Sequence, residues 1–243
     1  MTTKEKKQQL KNESRHDFTS LLTLVEVLRG EGGCPWDREQ THESIRNDLI
    51  EETYEVVEAI DNGDRKLLRE ELGDVMFQVA FHSQIEREAG GFTIEDVIDE
   101  VCGKMISRHP HVFGDVSVSG SREVLDNWET IKKAEKDRKT TVESMNSVPK
   151  QLPALMRAKK IVKKARKDSH TYTENEDTII ALAEKLKTAP EGEREVLLAD
   201  IIFASVVLGG SEADLERQLG EKVNGFIEHY KSTNEKINDL IRP

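Results

Sequence analysis

The sequence predicts an all-α protein, and three observations support this fold class. Charged residues make up 34% of the 243 residues and aromatic residues only 5%, which is typical of helices with charged surfaces rather than of β-sandwiches or barrels. Apolar residues recur at helical spacing, as at Phe18, Leu21, Val25 and Leu28. Sequences that break helices, such as Asn-Gly and Gly-Gly, separate these periodic segments. A chain of this length can bury its core in helical bundles without disulfides.

Five helices are predicted in the first half of the chain, after a polar leader. The first ends at the run Arg-Gly-Glu-Gly-Gly at 29–33, and Cys-Pro-Trp-Asp at 34–37 is the turn beyond it. The breaker Asp-Asn-Gly-Asp at 61–64 joins the second and third helices into a hairpin. A loop at 109–114 precedes the fifth helix. The predicted helices cover residues 18–28, 41–60, 65–87, 95–106 and 121–138.

The chain divides into two predicted domains. Thr, Ser, Asn and two prolines mark a linker, and an amphipathic helix follows it. Further on, segments 180–184 and 199–204 align with 51–55 and 73–78 of the first hairpin. This internal repeat predicts a tandem pair of related helical domains. The domains cover residues 1–138 and 154–243, with the linker at 139–153.

Composition and charge also predict where the protein is located in the cell and which classes of partner it binds. The formal net charge of −11 argues against a general nucleic-acid coat and suits a protein that binds cations, so no nucleic acid is expected as a partner. No apolar run approaches the roughly 18 residues of a membrane span, and the Lys-rich start lacks the apolar core of a signal peptide. These features predict a cytoplasmic protein in which Cys34 and Cys102 are free thiols.

Acidic residues are concentrated on both helices of the predicted hairpin. The second helix carries Glu51, Glu52 and Glu55, and the third carries Glu71 and Asp74. Residues three apart share a helix face, so each helix can present a pair of carboxylates to the same place. A solvated face is the ordinary interpretation of such a pattern, because glutamate is a good helix former.

The third helix favours a different interpretation. At 100° per residue, Glu71, Gln78 and Asp74 lie at about 40°, 20° and 340° from Leu67, inside an arc of apolar residues. Carboxyl groups buried there cannot stay ionised without a partner, because this costs several kcal/mol each. They must be protonated, paired with a basic group or bound to a metal ion. Neither helix offers an inward Lys or Arg. A set of oxygen ligands without His or Cys favours Mg²⁺ or Mn²⁺ over zinc and indicates metal-assisted phosphate chemistry.

Basic and aromatic residues downstream are compatible with a phosphate ligand. Lys104 and Arg108 are four residues apart near a predicted helix end, and Trp128 and Lys132 are four apart on the next helix. The first pair can bind phosphate oxygens, and the indole can stack on a base with Lys132 beside it. Taken alone, each pair is more often a feature of the solvated surface, and Trp128 is also compatible with a place in the core.

Four motifs in this order resemble the MazG family of nucleoside triphosphate pyrophosphohydrolases. They are Gly-Cys-Pro-Trp-Asp at 33–37, Glu-Glu-x-x-Glu with Glu-x-x-Asp at 51–74, Arg-His-Pro-His-Val-Phe at 108–113 and Leu-Pro-Ala-Leu-Met-Arg-Ala at 152–158. The resemblance is dense over residues 18–165 and loose in the remainder. It implies an all-α fold and a homodimer whose two subunits complete the nucleotide site.

The resemblance also implies a reaction and the residues that perform it. The reaction is Mg²⁺-dependent hydrolysis of ribo- or deoxyribonucleoside triphosphates at the α–β bond to the monophosphate and pyrophosphate, a house-cleaning of the nucleotide pool. Mg²⁺, or Mn²⁺, neutralises the polyphosphate and activates a bound water, with Glu51 as a candidate water-orienting base. The implied metal ligands, catalytic through that water, are Glu52, Glu55, Glu71 and Asp74. The implied nucleotide-site residues are Glu51, Glu70, Lys104, Arg108, Trp128 and Lys132.

The second repeat departs from this pattern. Three of its five acidic positions are apolar, at Ile180, Ala181 and Leu197, and only Glu184 and Asp200 remain. Leucine at the position of an acid is typical of an apolar core that binds no metal ion. We therefore expect the second domain to be a degenerate MazG-like copy that serves packing or dimerisation.

Two other functions are compatible with the sequence. A non-enzymatic helical module is one, because residues 132–167 hold thirteen basic and three acidic residues, a band suited to nucleic acid or an acidic partner. This alternative does not explain the buried acids of the predicted hairpin. An enzyme restricted to one nucleotide, such as deoxycytidine or deoxyuridine triphosphate or phosphoribosyl-ATP, is the other.

His109 and His111 resemble a metal pair, but Pro110 between them favours a structural turn.

Overall fold

The computed structural model describes residues 1–135, 140–166, 176–210 and 213–241. These residues contain thirteen helices and no strand, so the prediction of an all-α fold is confirmed. In chain order the helices are α1 (Thr3–Asn12), α2 (Phe18–Arg29), α3 (Pro35–Glu39), α4 (Arg46–Asp61), α5 (Arg65–Glu88), α6 (Ile94–Ser107), α7 (Pro110–Phe113), α8 (Ser121–Glu135), α9 (Thr141–Asn146), α10 (Ala154–Ala165), α11 (Glu176–Thr188), α12 (Glu191–Gly209) and α13 (Leu215–Ile241).

The chain folds into two compact units, Met1–Ile131 and Lys132–Pro243, which divide within α8. The segment 139–153, predicted as a linker, carries α9, and α9 packs against α10 of the second unit. The division of the chain into a catalytic and a degenerate domain stays a prediction.

Side-chain caps set the starts of α2 and α5, and a glycine turn joins the two hairpin helices α4 and α5. Asp17 accepts a hydrogen bond of 2.9 Å from the backbone N–H of Ser20 at the start of α2. Asp64 accepts one of 3.0 Å from the backbone N–H of Leu67 and so caps α5. Gly63 has a φ of 65°, a conformation that favours glycine, in the turn between α4 and α5. These local interactions fix where the two acidic helices meet.

α4 begins five residues later than the sequence predicts. The backbone N–H of Thr41 donates to Ser44 Oγ at 2.9 Å, and the backbone N–H of Ser44 donates to Thr41 Oγ1 at 3.3 Å. This reciprocal pair holds a turn before the helix, so α4 begins at Arg46.

Four short helices lie where the sequence predicts a leader, turns or a linker. α1 and α9 begin with capping boxes at Thr2 and Thr140. α3 and α7 begin at Pro35 and Pro110, because the fixed φ of proline suits the first helical turn. Apolar periodicity does not reveal them, because α3, α7 and α9 have only one or two turns and α1 is almost wholly polar.

The α4–α5 hairpin packs on α2 through an apolar core. Val25 of α2, Ile45 and Phe81 of α5 are buried together, and Phe81 is only 2% exposed. Phe77 and Ile85 pack at the edge of this cluster. Burial of these side chains holds α5 against α2 and thereby fixes the position of its acidic residues.

The hairpin also has an apolar face that the described residues leave uncovered. Ile50, Tyr54 and Val57 follow one another at helical spacing on α4 and are 47%, 50% and 45% exposed. Leu72 and Met76 on α5 are 50% and 47% exposed. A contiguous apolar stripe of this kind is typical of an interaction surface.

None of the helices in the described ranges combines the length and the apolar character that a membrane crossing needs.

α12 is the centre of the second unit. It packs against α10 and α11, and α10 also contacts α9 and α13. Val162 of α10 is buried against Val206 and Val207 of α12. The α11–α12 pair follows the same chain order as the α4–α5 hairpin, and its descent from a repeat stays a prediction.

Candidate metal centre

Carboxylates from both helices of the first hairpin meet at one place. Glu52 and Glu55 of α4 and Glu71 of α5 each offer a ligand oxygen, and the three oxygens lie within 4.8 Å of one another. Two oxygens on opposite sides of one Mg²⁺ are about 4.2 Å apart, since each lies about 2.1 Å from the ion. Small side-chain movements are therefore enough to bring the three oxygens onto one cation.

The two acids of α5 differ in burial, and the expectation that both lie inside its buried face is wrong for Asp74. Glu71 is 7% exposed, whereas Asp74 is exposed. A Cβ added at the adjacent Gly73 would meet no atom within 4 Å. The described residues thus leave α5 open on that side, and only Glu71 is enclosed by packing.

The acidic cluster is electrostatically unfavourable without a cation. Burial and then the carboxylate of Glu55 raise the pKa of Glu71. Burial and then the charge of Asp74 raise the pKa of Glu52. Among the described residues, no Lys, Arg or His forms an ion pair with these four acids. A set of carboxylate oxygens without nitrogen or sulfur ligands fits a hard divalent cation.

The cations expected to bind phosphate have partners within the protein. Arg108 is buried at the C-cap of α6, and its guanidinium carbon lies 5.3 Å from the ring centroid of Trp128. Lys104 Nζ lies 3.2 Å from Glu100 Oε1 on the same helix. The structure thus joins Arg108 to Trp128, whereas Lys104 is directed towards Glu100.

The other predicted nucleotide-site residues lie in separate places. Glu51 precedes Glu52 on α4, Glu70 precedes Glu71 on α5, and both are exposed. Lys132 opens the second compact unit. Their roles stay predictions.

The His109 to His111 segment agrees with a structural turn. His109 Nδ1 donates to the carbonyl oxygen of Met105 at 2.5 Å. The two imidazole rings are tilted by 52°, with centroids 5.6 Å apart. The hydrogen bond ties the turn back to α6.

The second hairpin has no comparable cluster in its described part. Glu184 Oε1 accepts a hydrogen bond from Lys187 Nζ at 2.6 Å, and Asp200 is exposed. Within the described ranges, the group of Glu52, Glu55 and Glu71 is the one place where three such ligand atoms converge.

Two polar contacts of the first unit were not anticipated from the sequence. The buried Arg29 donates from Nη2 to Glu88 Oε2 at 2.8 Å, across 59 residues of chain. His42 Nδ1 lies 2.7 Å from His82 Nδ1. Gln78 is buried on α5, as its angle on the helix, within the strip of acids, predicts.

Comparisons with known proteins identify the family. The model of the MazG nucleotide pyrophosphohydrolase domain matches residues 40–113, which include all four acids. The MazG nucleoside triphosphate pyrophosphohydrolase/pyrophosphatase of Thermotoga maritima is 40% identical over 225 residues, which cover 90% of this chain and 86% of that protein. This chain belongs to the MazG family. The resemblance drawn from the four motifs is confirmed.

Two further relatives differ in how much they share with this MazG-family chain. The nucleoside triphosphate pyrophosphohydrolase of Escherichia coli K12 is 37% identical over 232 residues, which cover 91% of this chain and 84% of that protein. The "Uncharacterized protein YabN" of Bacillus subtilis 168 is 52% identical over 150 residues, and this chain spans only 30% of its length. The relatives from T. maritima and E. coli therefore match both compact units.

Proposed function

We propose that this MazG-family protein is a nucleoside triphosphate pyrophosphohydrolase. It hydrolyses ribo- and deoxyribonucleoside triphosphates at the α–β bond, releases the monophosphate and pyrophosphate, and so cleans the cytoplasmic nucleotide pool. The T. maritima and E. coli relatives carry this activity in their names and support the proposal over most of the chain.

The carboxylate cluster of α4 and α5 is the observation that carries the proposal. Its oxygens converge within 4.8 Å, Glu71 is only 7% exposed, and the described residues give the cluster no basic partner. These features favour Mg²⁺, which Mn²⁺ can replace. When bound, the ion screens the charge of the triphosphate and lowers the pKa of a water molecule. The ligands in this proposal are Glu52, Glu55, Glu71 and Asp74.

The protein's own groups orient the water and bind the phosphates. Glu51, exposed beside the cluster, orients the attacking water and accepts its proton. Arg108 donates guanidinium N–H groups to phosphate oxygens, and its stacking on Trp128 limits its movement. Lys104 leaves Glu100 for the pyrophosphate, because a surface ion pair of this kind contributes only about 0–1 kcal/mol.

The nucleoside is bound by aromatic and polar groups in this proposal. An indole can stack on any base, which suits an enzyme that accepts several nucleotides. Trp128 stacks on the base, Lys132 lies beside it, and Glu70 contributes a further polar group.

A homodimer is part of the proposal. The apolar face of Ile50, Tyr54, Leu72 and Met76 lies on the same two helices as the acids and is about half exposed in the single chain. A second copy of the chain covers such a face with an identical one, as twofold symmetry requires. Dimerisation therefore places helices of both subunits next to the cluster.

The second unit supports the fold and does not catalyse the reaction. Glu184 is paired with Lys187 rather than with a second acid, and Leu197 replaces the acid that Glu71 supplies in the first hairpin. The described part of the second hairpin therefore lacks the converging carboxylates that the first hairpin supplies.

The test is turnover of the eight common nucleoside triphosphates, with separate detection of pyrophosphate and orthophosphate. We expect monophosphate and pyrophosphate as products with Mg²⁺ or Mn²⁺, and no turnover in EDTA. Orthophosphate and a diphosphate as first products would exclude cleavage at the α–β bond. Full turnover in EDTA would exclude the metal.

A further inference from the structure

Gln78 is a buried polar side chain that the proposed mechanism does not use. It lies on α5 and is 8% exposed. Its Oε1 is buried and has no hydrogen-bond partner among the residues that the structure describes. An unpaired buried acceptor is destabilising, so such groups are normally satisfied by water or by a ligand.

Helix geometry places this amide one turn from Asp74, a proposed ligand of the cation, on the acidic strip of α5. Gln78 follows Asp74 by four residues and Glu71 by seven, so the three side chains lie on one strip of α5. A rise of about 1.5 Å per residue separates Gln78 from Asp74 by about 6 Å along the axis. Helical side chains lean towards the N-terminus, so the amide of Gln78 is directed towards the acids.

The next turn of the same strip has a second unsatisfied polar atom. His82 follows Gln78 by four residues, and its Nε2 is buried without a hydrogen-bond partner among the described residues. Its Nδ1 lies 2.7 Å from His42 Nδ1, so this nitrogen already has a neighbour within the protein. Gln78 and His82 therefore place two unsatisfied polar atoms on successive turns of one face of α5.

We propose that Gln78 is a positioning residue of the cation site, an inference that rests on the proposed function. Its carbonyl oxygen accepts a hydrogen bond from a water molecule that belongs to the cation's hydration shell. Mg²⁺ and Mn²⁺ retain several waters when proteins bind them, and partners of that shell orient it. The cation thereby satisfies the amide that the protein leaves unpaired.

The test is binding of MnCl₂ to the nucleotide-free protein by isothermal titration calorimetry, with melting temperatures measured in EDTA. Gln78→Met has nearly the same shape but no acceptor, and we expect at least about tenfold weaker Mn²⁺ binding, as is usual when such partners are removed. Its melting temperature should equal or exceed that of the wild type, because an unsatisfied buried amide is gone. Gln78→Glu keeps an acceptor oxygen and should bind Mn²⁺ at least as tightly as the wild type.

A matched control is available on the same helix. Gln84→Met makes the identical chemical change at a glutamine whose Nε2 donates to Glu88 at 2.9 Å, and it should leave Mn²⁺ affinity unchanged. If Gln78→Met does not fold, Gln78→Asn replaces it, because shortening by one methylene withdraws the amide and should also weaken Mn²⁺ binding.

Each outcome decides the role of Gln78. Wild-type Mn²⁺ affinity in the Met or Asn variant overturns the inference, and so does a lower melting temperature with unchanged affinity, the signature of a purely structural amide. If the wild type turns over nucleotides and binds Mn²⁺ while Gln78→Met does the same, only this inference fails. If the wild type binds no Mn²⁺, the proposed function fails with it.

Discussion

Glu71→Gln is the sharpest test of the carboxylate cluster. The substitution keeps the size of the side chain and removes one negative charge from a position that is 7% exposed. Burial and the neighbouring carboxylates of Glu55, Asp74 and Glu52 raise the pKa of Glu71. Its negative charge therefore does not stabilise the fold in the absence of a bound cation.

The expected loss of activity follows from the burial of each acid. Removing one preorganised electrostatic group from an active site costs on the order of 10²–10³ in rate. Glu71 is only 7% exposed, so we expect the upper end of this range, about 10³ in kcat/KM. The half-buried Glu52 can be replaced in part by water, so Glu52→Gln should lose about 10².

The assay is continuous detection of pyrophosphate, combined with thermal melting in EDTA. The melting temperature of Glu71→Gln should not fall, because the variant relieves repulsion among carboxylates. Glu58→Gln, the same change at an exposed acid of α4, should be fully active. The reasoning is refuted if Glu71→Gln keeps more than about a tenth of the activity, or if it melts well below the wild type in EDTA.

Three further results are expected. Phe81→Ala removes a ring that is 2% exposed and should lower the free energy of unfolding by about 3–5 kcal/mol in urea titrations; a loss below about 1 kcal/mol would contradict its place in the core. Although burial opposes it, hydrogen bonds from Arg29 lower the pKa of Glu88. The pair therefore stabilises the fold above the unfolded pKa and is lost as pH falls, so melting temperatures from pH 7 to 3 should fall more steeply for wild type than for Glu88→Gln, and parallel curves would exclude the linkage. Replacing Glu184 and Asp200 together by Ala should leave kcat/KM within about twofold, since Glu184 binds Lys187, and a large loss would place chemistry in the second unit.

Features that depend on local geometry could be predicted from the sequence. The extent of α5 agrees with its prediction to within one residue, because Asp64 caps its start and Gly90 has a positive φ just beyond its end. The spacing of three and four residues likewise put Glu52 and Glu55 on one helix face. The start of α4 was missed, since the hydrogen bonds between Thr41 and Ser44 compete with the helix.

The sequence by itself indicated the class of chemistry, because carboxylates at helical spacing on a face without an inward Lys or Arg can be recognised in one dimension. Tertiary structure decided which carboxylate is enclosed. Glu71 and Asp74 are equivalent by periodicity, yet packing buries one and leaves the other in solvent. It also paired Arg29 with Glu88 across 59 residues and left the amide of Gln78 without a protein partner in the described chain. Such contacts depend on how α2, α4 and α5 pack together, and side chains distant in sequence meet only when that packing is complete.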